Sequence, residues 1–153
     1  MCTNCRSWRR FIKPRDEKIF KFIKKKANVY LLSYSCGSIY KFIPDLIEMG
    51  VDALNPIQVS AKDMDTKKLK EEFGEKITFW DGGCNAQHIL SHGSPEDVIN
   101  EVKKRINELA PGGGFVFTQV HNIQADVPPE NIVAMFETVK KYGFVSNKNI
   151  KLK

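Results

Sequence analysis

The chain has 153 residues, 42% hydrophobic and 27% charged, with a formal net charge of +6. Those proportions suit one globular domain with a sizeable core, here spanning residues 1–153, but the length falls well short of the ~250 residues of a complete (β/α)8 barrel. No apolar run approaches the ~20 residues that cross a bilayer, and no apolar stretch follows the basic N-terminus as in a secretory signal. A cytoplasmic chain without a membrane partner is therefore expected.

The charge is spread rather than striped. Lys24-Lys25-Lys26, Lys67-Lys68 and Lys103-Lys104-Arg105 fall on predicted helices interleaved with acids, as in Lys70-Glu71-Glu72, and read as solvated faces. A nucleic-acid surface would need a continuous basic stripe with stacking aromatics, so an anionic small molecule is the better match to the charge. Cys2, Cys5, Cys36 and Cys84 are too few for a disulfide framework and read as reduced thiols.

In chain order, apolar residues at helical spacing from Trp8 to Ile23 predict a helix over residues 8–25, interrupted at Pro14. Val29-Tyr30-Leu31-Leu32-Ser33 reads as a strand buried on both faces. Residues 39–49 return to helical periodicity, with Gly50 as the cap. A strand at 51–54 ends at Asn55-Pro56, and a helix over 66–73 stops at Gly74. A strand at 77–80 opens into Gly82-Gly83. Ser94-Pro95-Glu96 is a strong helix start: a capping hydroxyl, a first-turn proline and an acid at the positive end of the dipole. That helix runs to residue 109. Gly112-Gly113-Gly114 reads as a turn before a strand at 115–120, and Pro128-Pro129-Glu130 opens a last helix ending at Gly143. The basic tail 144–153 follows.

Four strand-then-helix units imply parallel pairing with right-handed crossovers. Periodicity leaves two topologies open, half of a barrel or a four-stranded doubly wound sheet. In either, ligands meet the C-terminal ends of the strands. Those ends deliver Tyr34, Ser35 and Cys36, then Asn55 and Gln58, then Gly83, Cys84, Asn85 and Gln87, and finally His121, Asn122 and Gln124. Asn55 and Asn122 fit loop-capping roles. His121 opens an unusually polar loop and is the candidate ligand contact. Gly82-Gly83 permits close backbone approach to a ligand, although neither glycine run matches a nucleotide-binding pattern. Cys36 and Cys84 are candidate metal thiolates at the mouth, while Cys2-x-x-Cys5 is a weak metal or redox spacing.

Four stretches resemble the uroporphyrinogen decarboxylase superfamily, which includes cobalamin-dependent methyltransferases. They are Cys36-Gly37-Ser38, residues 50–58, Pro111-Gly112-Gly113-Gly114 and residues 121–132, from His121-Asn122-Ile123-Gln124 to Ile132. The resemblance covers residues 8–143 and maps to the C-terminal half of a family member. It implies the second half of a (β/α)8 barrel, four consecutive β/α units. His121 is then the catalytic candidate, with Tyr34, Gln58, Gly83, Asn85, Gln87 and Gln124 around a porphyrinogen- or corrinoid-like anionic ligand. Family chemistry is decarboxylation of porphyrinogen acetate side chains without a cofactor, or methyl transfer using zinc and a corrinoid. The zinc motif His-x-Cys falls on Tyr34-Ser35-Cys36, which leaves Cys36 as an incomplete metal ligand, and Asn85 stands where relatives carry Asp. The decarboxylase's principal acid belongs to the N-terminal half, so the resemblance implies a partner: that half, or a second copy of this chain. The alternative is a non-catalytic, self-associating binding module.

Overall fold

In the computed structural model, residues 5–143 are described. Cys2 of the Cys2-x-x-Cys5 spacing and the tail 144–153 lie outside them. Two helices lead, α1 (Cys5–Phe11) and α2 (Lys13–Lys26), divided near Pro14 as the sequence predicts. Four short strands then alternate with helices: β1 (Leu32–Tyr34), α3 (Ile43–Glu48), β2 (Ala53–Asn55), α4 (Thr66–Phe73), β3 (Thr78–Trp80), α5 (Pro95–Leu109), β4 (Phe115–Val116) and α6 (Pro129–Tyr142).

Local chemistry explains the boundaries. Asp65 caps α4 through Lys68 N–H at 2.9 Å. Ser94 and Asp97 cap each other's backbone at the start of α5, a complete capping box. Gly50, at φ +89°, and the run Gly112-Gly113-Gly114, at φ between +67° and +83°, turn the chain where a side chain would be strained.

The four strands are parallel and lie in the order β1-β2-β3-β4. A doubly wound sheet reverses its strand order at a switch point, and no reversal is present here. Right-handed crossovers that all step the same way place every helix on one face. The helix layer follows that rule. Lys13 of α2 pairs with Asp45 and Glu48 of α3, Tyr40 just before α3 stacks edge-on against Phe73 of α4, and α4, α5 and α6 contact one another in turn.

Register fixes the two faces of the sheet. Ser33, Leu54, Phe79 and Phe115 stand opposite one another, and Leu54 and Phe79 are fully buried against the helices. Around them Ile43, Ile57, Leu69 and Leu109 form one apolar cluster, and Val98, Val102, Leu90 and Met135 form a second. Each such side chain contributes about 1.5–3 kcal/mol by leaving water. The alternate positions face away from the helices: Leu32 (48% exposed), Tyr34 (62%) and Trp80 (42%). β1 is therefore not buried on both faces as its apolar run suggested. It begins later, at Leu32, and leaves Tyr30 at 91% exposure, because it is an edge strand with one face open.

The expected strand at 115–120 is also shorter. Asp81 and Gly82 have φ of +97° and +93°, which bends β3 out of register. Pairing resumes at Cys84–Gln119, with Val120 N–H donating to the Cys84 carbonyl at 2.8 Å.

Candidate functional site

At the C-terminal ends of the strands a cleft of about 320 Å3 is lined by Tyr34, Asn55, Pro56, Trp80, Asp81, Thr118, Gln119, His121 and Asn122. A larger concavity of about 790 Å3 lies at the opposite end of the sheet, against Tyr30, Asp52, Lys70, Thr78 and Gly114. That end holds the N-terminal ends of strands and the loops before them, which in α/β proteins serve stability, not chemistry.

Two residues of the smaller cleft are held in left-handed backbone conformations, Asp81 at φ +97° and His121 at φ +66°, which side-chain-bearing residues adopt at a cost of about 1–2 kcal/mol. Asp81 stabilises both turns. One carboxylate oxygen accepts the Gly82 N–H and the other accepts the His121 N–H at 3.3 Å. The carboxylate is buried at 3% exposure, and burial pushes its pKa up to about 7 despite those two donors. The His121 ring is itself engaged: Nδ1 accepts the Asn122 N–H at 2.8 Å. With Nδ1 an acceptor, the neutral imidazole carries its proton on Nε2 and remains a donor there. Gln119 fastens the same turn by donating from Nε2 to the His121 carbonyl at 3.0 Å.

Across the cleft, the Cys36 thiol donates to the Tyr34 hydroxyl at 3.2 Å. Pairing with Cys36, whose charge when ionised opposes a second charge on the phenolate, holds the phenol pKa above its ordinary value, so Tyr34 stays neutral and keeps its own proton to donate. The cleft thus presents an imidazole N–H, a phenol O–H and, among the described residues lining it, one carboxylate that is half-neutralised near pH 7. This is a donor-rich surface suited to an anion.

The family model described as Uroporphyrinogen decarboxylase (URO-D) matches residues 3–142. The chain belongs to the uroporphyrinogen decarboxylase family. Curated proteins named uroporphyrinogen decarboxylase align at low identity: 32% over 80 residues in Pseudoalteromonas atlantica, covering 52% of this chain and 22% of that protein, and 36% over 55 residues in Alkalilimnicola ehrlichii, covering 36% and 15%. A methyltransferase from Methanosarcina mazei shares the fold, with a TM-score of 0.68 at 20% identity, over 90% of this chain and 37% of that one. The chain thus spans about a fifth of the curated relatives' length in alignment and just over a third of the structural neighbour.

The URO-D motif residues fall into three groups. Tyr34 and His121 meet at the cleft. Gln58 and Gln87 meet each other instead: Gln87 Oε1 accepts from Ser60 Oγ at 2.8 Å and from Gln58 Nε2 at 3.4 Å, in a polar cluster outside the residues that line the cleft. Gly83, Asn85 and Gln124 have local duties. A Cβ on Gly83 would collide with the Phe117 ring, so the glycine admits an aromatic neighbour and its ligand-approach role has no opening. Asn85 Oδ1 caps the turn Ala86–Leu90 through the Gln87 and His88 N–H groups. Gln124 donates to the Asn122 carbonyl at 3.3 Å. Asn55, expected as a loop cap, donates to the Trp80 carbonyl at 3.3 Å.

Zinc, which the family resemblance implies, does not fit. Cys36 is engaged with Tyr34. Cys84 is not at the mouth but fully buried, with its pKa pushed up to about 12 by that burial, which disfavours a thiolate. Among the described residues no group of three or more His, Cys, Asp or Glu side chains is gathered to hold a metal ion. Likewise, among the described residues no helix is long and apolar enough to cross a membrane.

Sequence reasoning missed Asp81. It stands directly at the end of β3, before Gly82-Gly83, which is where barrel enzymes place chemical groups. The sequence predicts a strand ending at Trp80, as β3 does, but the strand-end residues named from it begin at Gly83 and pass over Asp81.

Proposed function

We propose that this chain is half of a URO-D-type barrel whose strand C-termini form one side of a mouth for a porphyrinogen-like polycarboxylate. The observation that carries this reading is the fixed His121 ring. Its Nδ1 is occupied by the Asn122 N–H, which leaves Nε2–H to meet a ligand carboxylate or pyrrole beside the Tyr34 hydroxyl.

The family's decarboxylation proceeds by adding a proton to a pyrrole carbon. The ring then accepts the electron pair as the bond to carbon dioxide breaks. This half offers two of the needed functions. His121 binds and orients, and Asp81, poised near pH 7, is the group on the cleft able to hold or release a proton in that range. Water exclusion is what it lacks, because Leu32, Tyr34 and Trp80 stand open on the inner face and electrostatic stabilisation weakens in water. Turnover on this reading requires a facing half. Decarboxylation is favoured over methyl transfer by the Tyr34–Cys36 pair, which occupies the thiol the zinc chemistry would use.

Titration of the chain with uroporphyrin, followed by quenching of its tryptophan fluorescence, tests the reading, with cobalamin as the comparison ligand. Saturable uroporphyrin binding that His121→Ala weakens roughly tenfold or more is expected. Cobalamin binding in preference to the porphyrin, or porphyrin binding unchanged in His121→Ala, would overturn it.

A further inference from the structure

Most of the unused hydrogen-bonding groups on the cleft are donors. They are the His121 Nε2–H, the Tyr34 hydroxyl and the indole N–H of Trp80, which lines the cleft and makes no hydrogen bond among the described residues. Acceptors there are mostly occupied. Asp81 has both carboxylate oxygens on backbone N–H groups. The Gln119 amide is engaged at both ends, donating to the His121 carbonyl at 3.0 Å and accepting from Thr118 Oγ1 at 3.3 Å. The Asn122 side chain has no partner among the described residues and can turn either end to a ligand.

Asn55 is the exception. Its amide nitrogen donates to the Trp80 carbonyl at 3.3 Å. A carbonyl can only accept, so the nitrogen must face Trp80 and the amide cannot turn end for end. Its Oδ1 is thereby left on the cleft with no partner among the described residues. The backbone is held as firmly: Asn55 stands opposite Tyr34 in the β1–β2 register, and its carbonyl accepts the Ser35 N–H at 2.8 Å. A fixed acceptor on β2 therefore sits between an aromatic side chain on β1, Tyr34, and one on β3, Trp80.

A carboxylate cannot use that oxygen, because both groups only accept. An N–H on a flat ring can. A site built around such an acceptor disfavours any ligand that lacks the N–H, since the buried oxygen then loses water and gains no partner. The cleft, at about 320 Å3, is at the small end of ligand sites and suits one substituted ring.

We infer that Asn55 is a specificity-determining residue of the cleft: its Oδ1 accepts the N–H of one pyrrole ring while the carboxylates of that ring meet His121 and Tyr34. The donors select the ligand's charge, and Asn55 selects the ring. The loop-capping bond to Trp80 is what aims the oxygen. This inference rests on the porphyrinogen-like reading of the cleft and adds the group that tells a pyrrole from any other anionic ring.

Two rings of one shape test it. Pyrrole-3,4-dicarboxylate and furan-3,4-dicarboxylate differ only in carrying an N–H or an ether oxygen opposite the carboxylates. Each is titrated into the full chain, and binding is read from the backbone amide shifts of His121 and Asn122. The wild type should bind the pyrrole about tenfold more tightly than the furan. Asn55→Ala should abolish that preference by weakening the pyrrole alone, whereas His121→Ala should weaken both rings and keep their ratio. If circular dichroism shows Asn55→Ala unfolded, Asn55→Ser replaces it, because a hydroxyl can still donate toward the Trp80 carbonyl but is too short to present the same acceptor. Equal affinity of the wild type for the two rings, or a preference that survives in the Asn55 variant, would overturn the inference and leave the anion-binding reading standing. Failure of either ring to shift His121 and Asn122 would sink both.

Discussion

Replacing Asp81 with asparagine isolates the most strained part of the cleft. The carboxylate titrates near 3.8 when unfolded and at about 7 in the fold, because burial outweighs the two backbone donors. The folded chain therefore holds a proton at Asp81 that the unfolded chain has lost. Stability from this group is full below pH 3.8, declines across the interval, and is lost once pH passes about 7. The slope is about 1.4 kcal/mol per pH unit, and across the interval the loss is on the order of 4 kcal/mol. The amide of the Asp81→Asn variant would keep an acceptor for one of the Gly82 and His121 N–H groups and remove the ionisation. Urea unfolding of both proteins at about pH 5, 6, 7 and 8 reads the effect as the difference between them, which cancels the other titrating groups. The wild type should lose stability relative to Asp81→Asn as pH rises to about 7. Parallel pH profiles for the two proteins would refute a buried, proton-holding Asp81.

His121→Gly separates strain from recognition: removing the side chain at φ +66° should stabilise the fold by up to about 1 kcal/mol in urea unfolding while weakening porphyrin binding. Gly83→Ala pushes a methyl group into the Phe117 ring and should cost about 1–3 kcal/mol, visible as a lowered Tm with no change at His121. Ser94→Ala removes half of the capping box on α5 and should cost about 1 kcal/mol without altering ligand affinity. Asn131→Ala strands the Leu90 and Gly93 carbonyls that its amide satisfies at 2.9 and 2.8 Å; a loss of about 1–3 kcal/mol is expected by the same assay.

Helices were the most legible part of the chain because their signals are local. Ser94-Pro95-Glu96, Gly74 and Pro128-Pro129 mark boundaries that the structure keeps within a residue. Strand order was not local. Val29-Tyr30-Leu31-Leu32 is apolar enough for a central strand, yet β1 lies at an edge with Tyr30 exposed, and only the assembled sheet decides between those positions. The site divides in the same way. His121 announced itself as a polar residue after a strand and does line the cleft. Asn85 and Gln124 followed the same rule but spend their side chains on nearby backbone groups. Asp81 was hidden because its importance comes from burial and a left-handed turn, neither of which a pattern of residue types records. Membership of the URO-D family was readable from the motif stretches, and the family match over residues 3–142 agrees with them.

Backbone amide shifts on addition of uroporphyrin test the central claim most directly, because they report both binding and location. The account predicts saturable shifts at His121, Asn122, Gly82 and Tyr34, at the C-terminal ends of the strands, with residues such as Gly74 and Thr78 at the opposite end unmoved. Shifts confined to that opposite end, or none at His121 and Asn122 under saturating porphyrin, would contradict it.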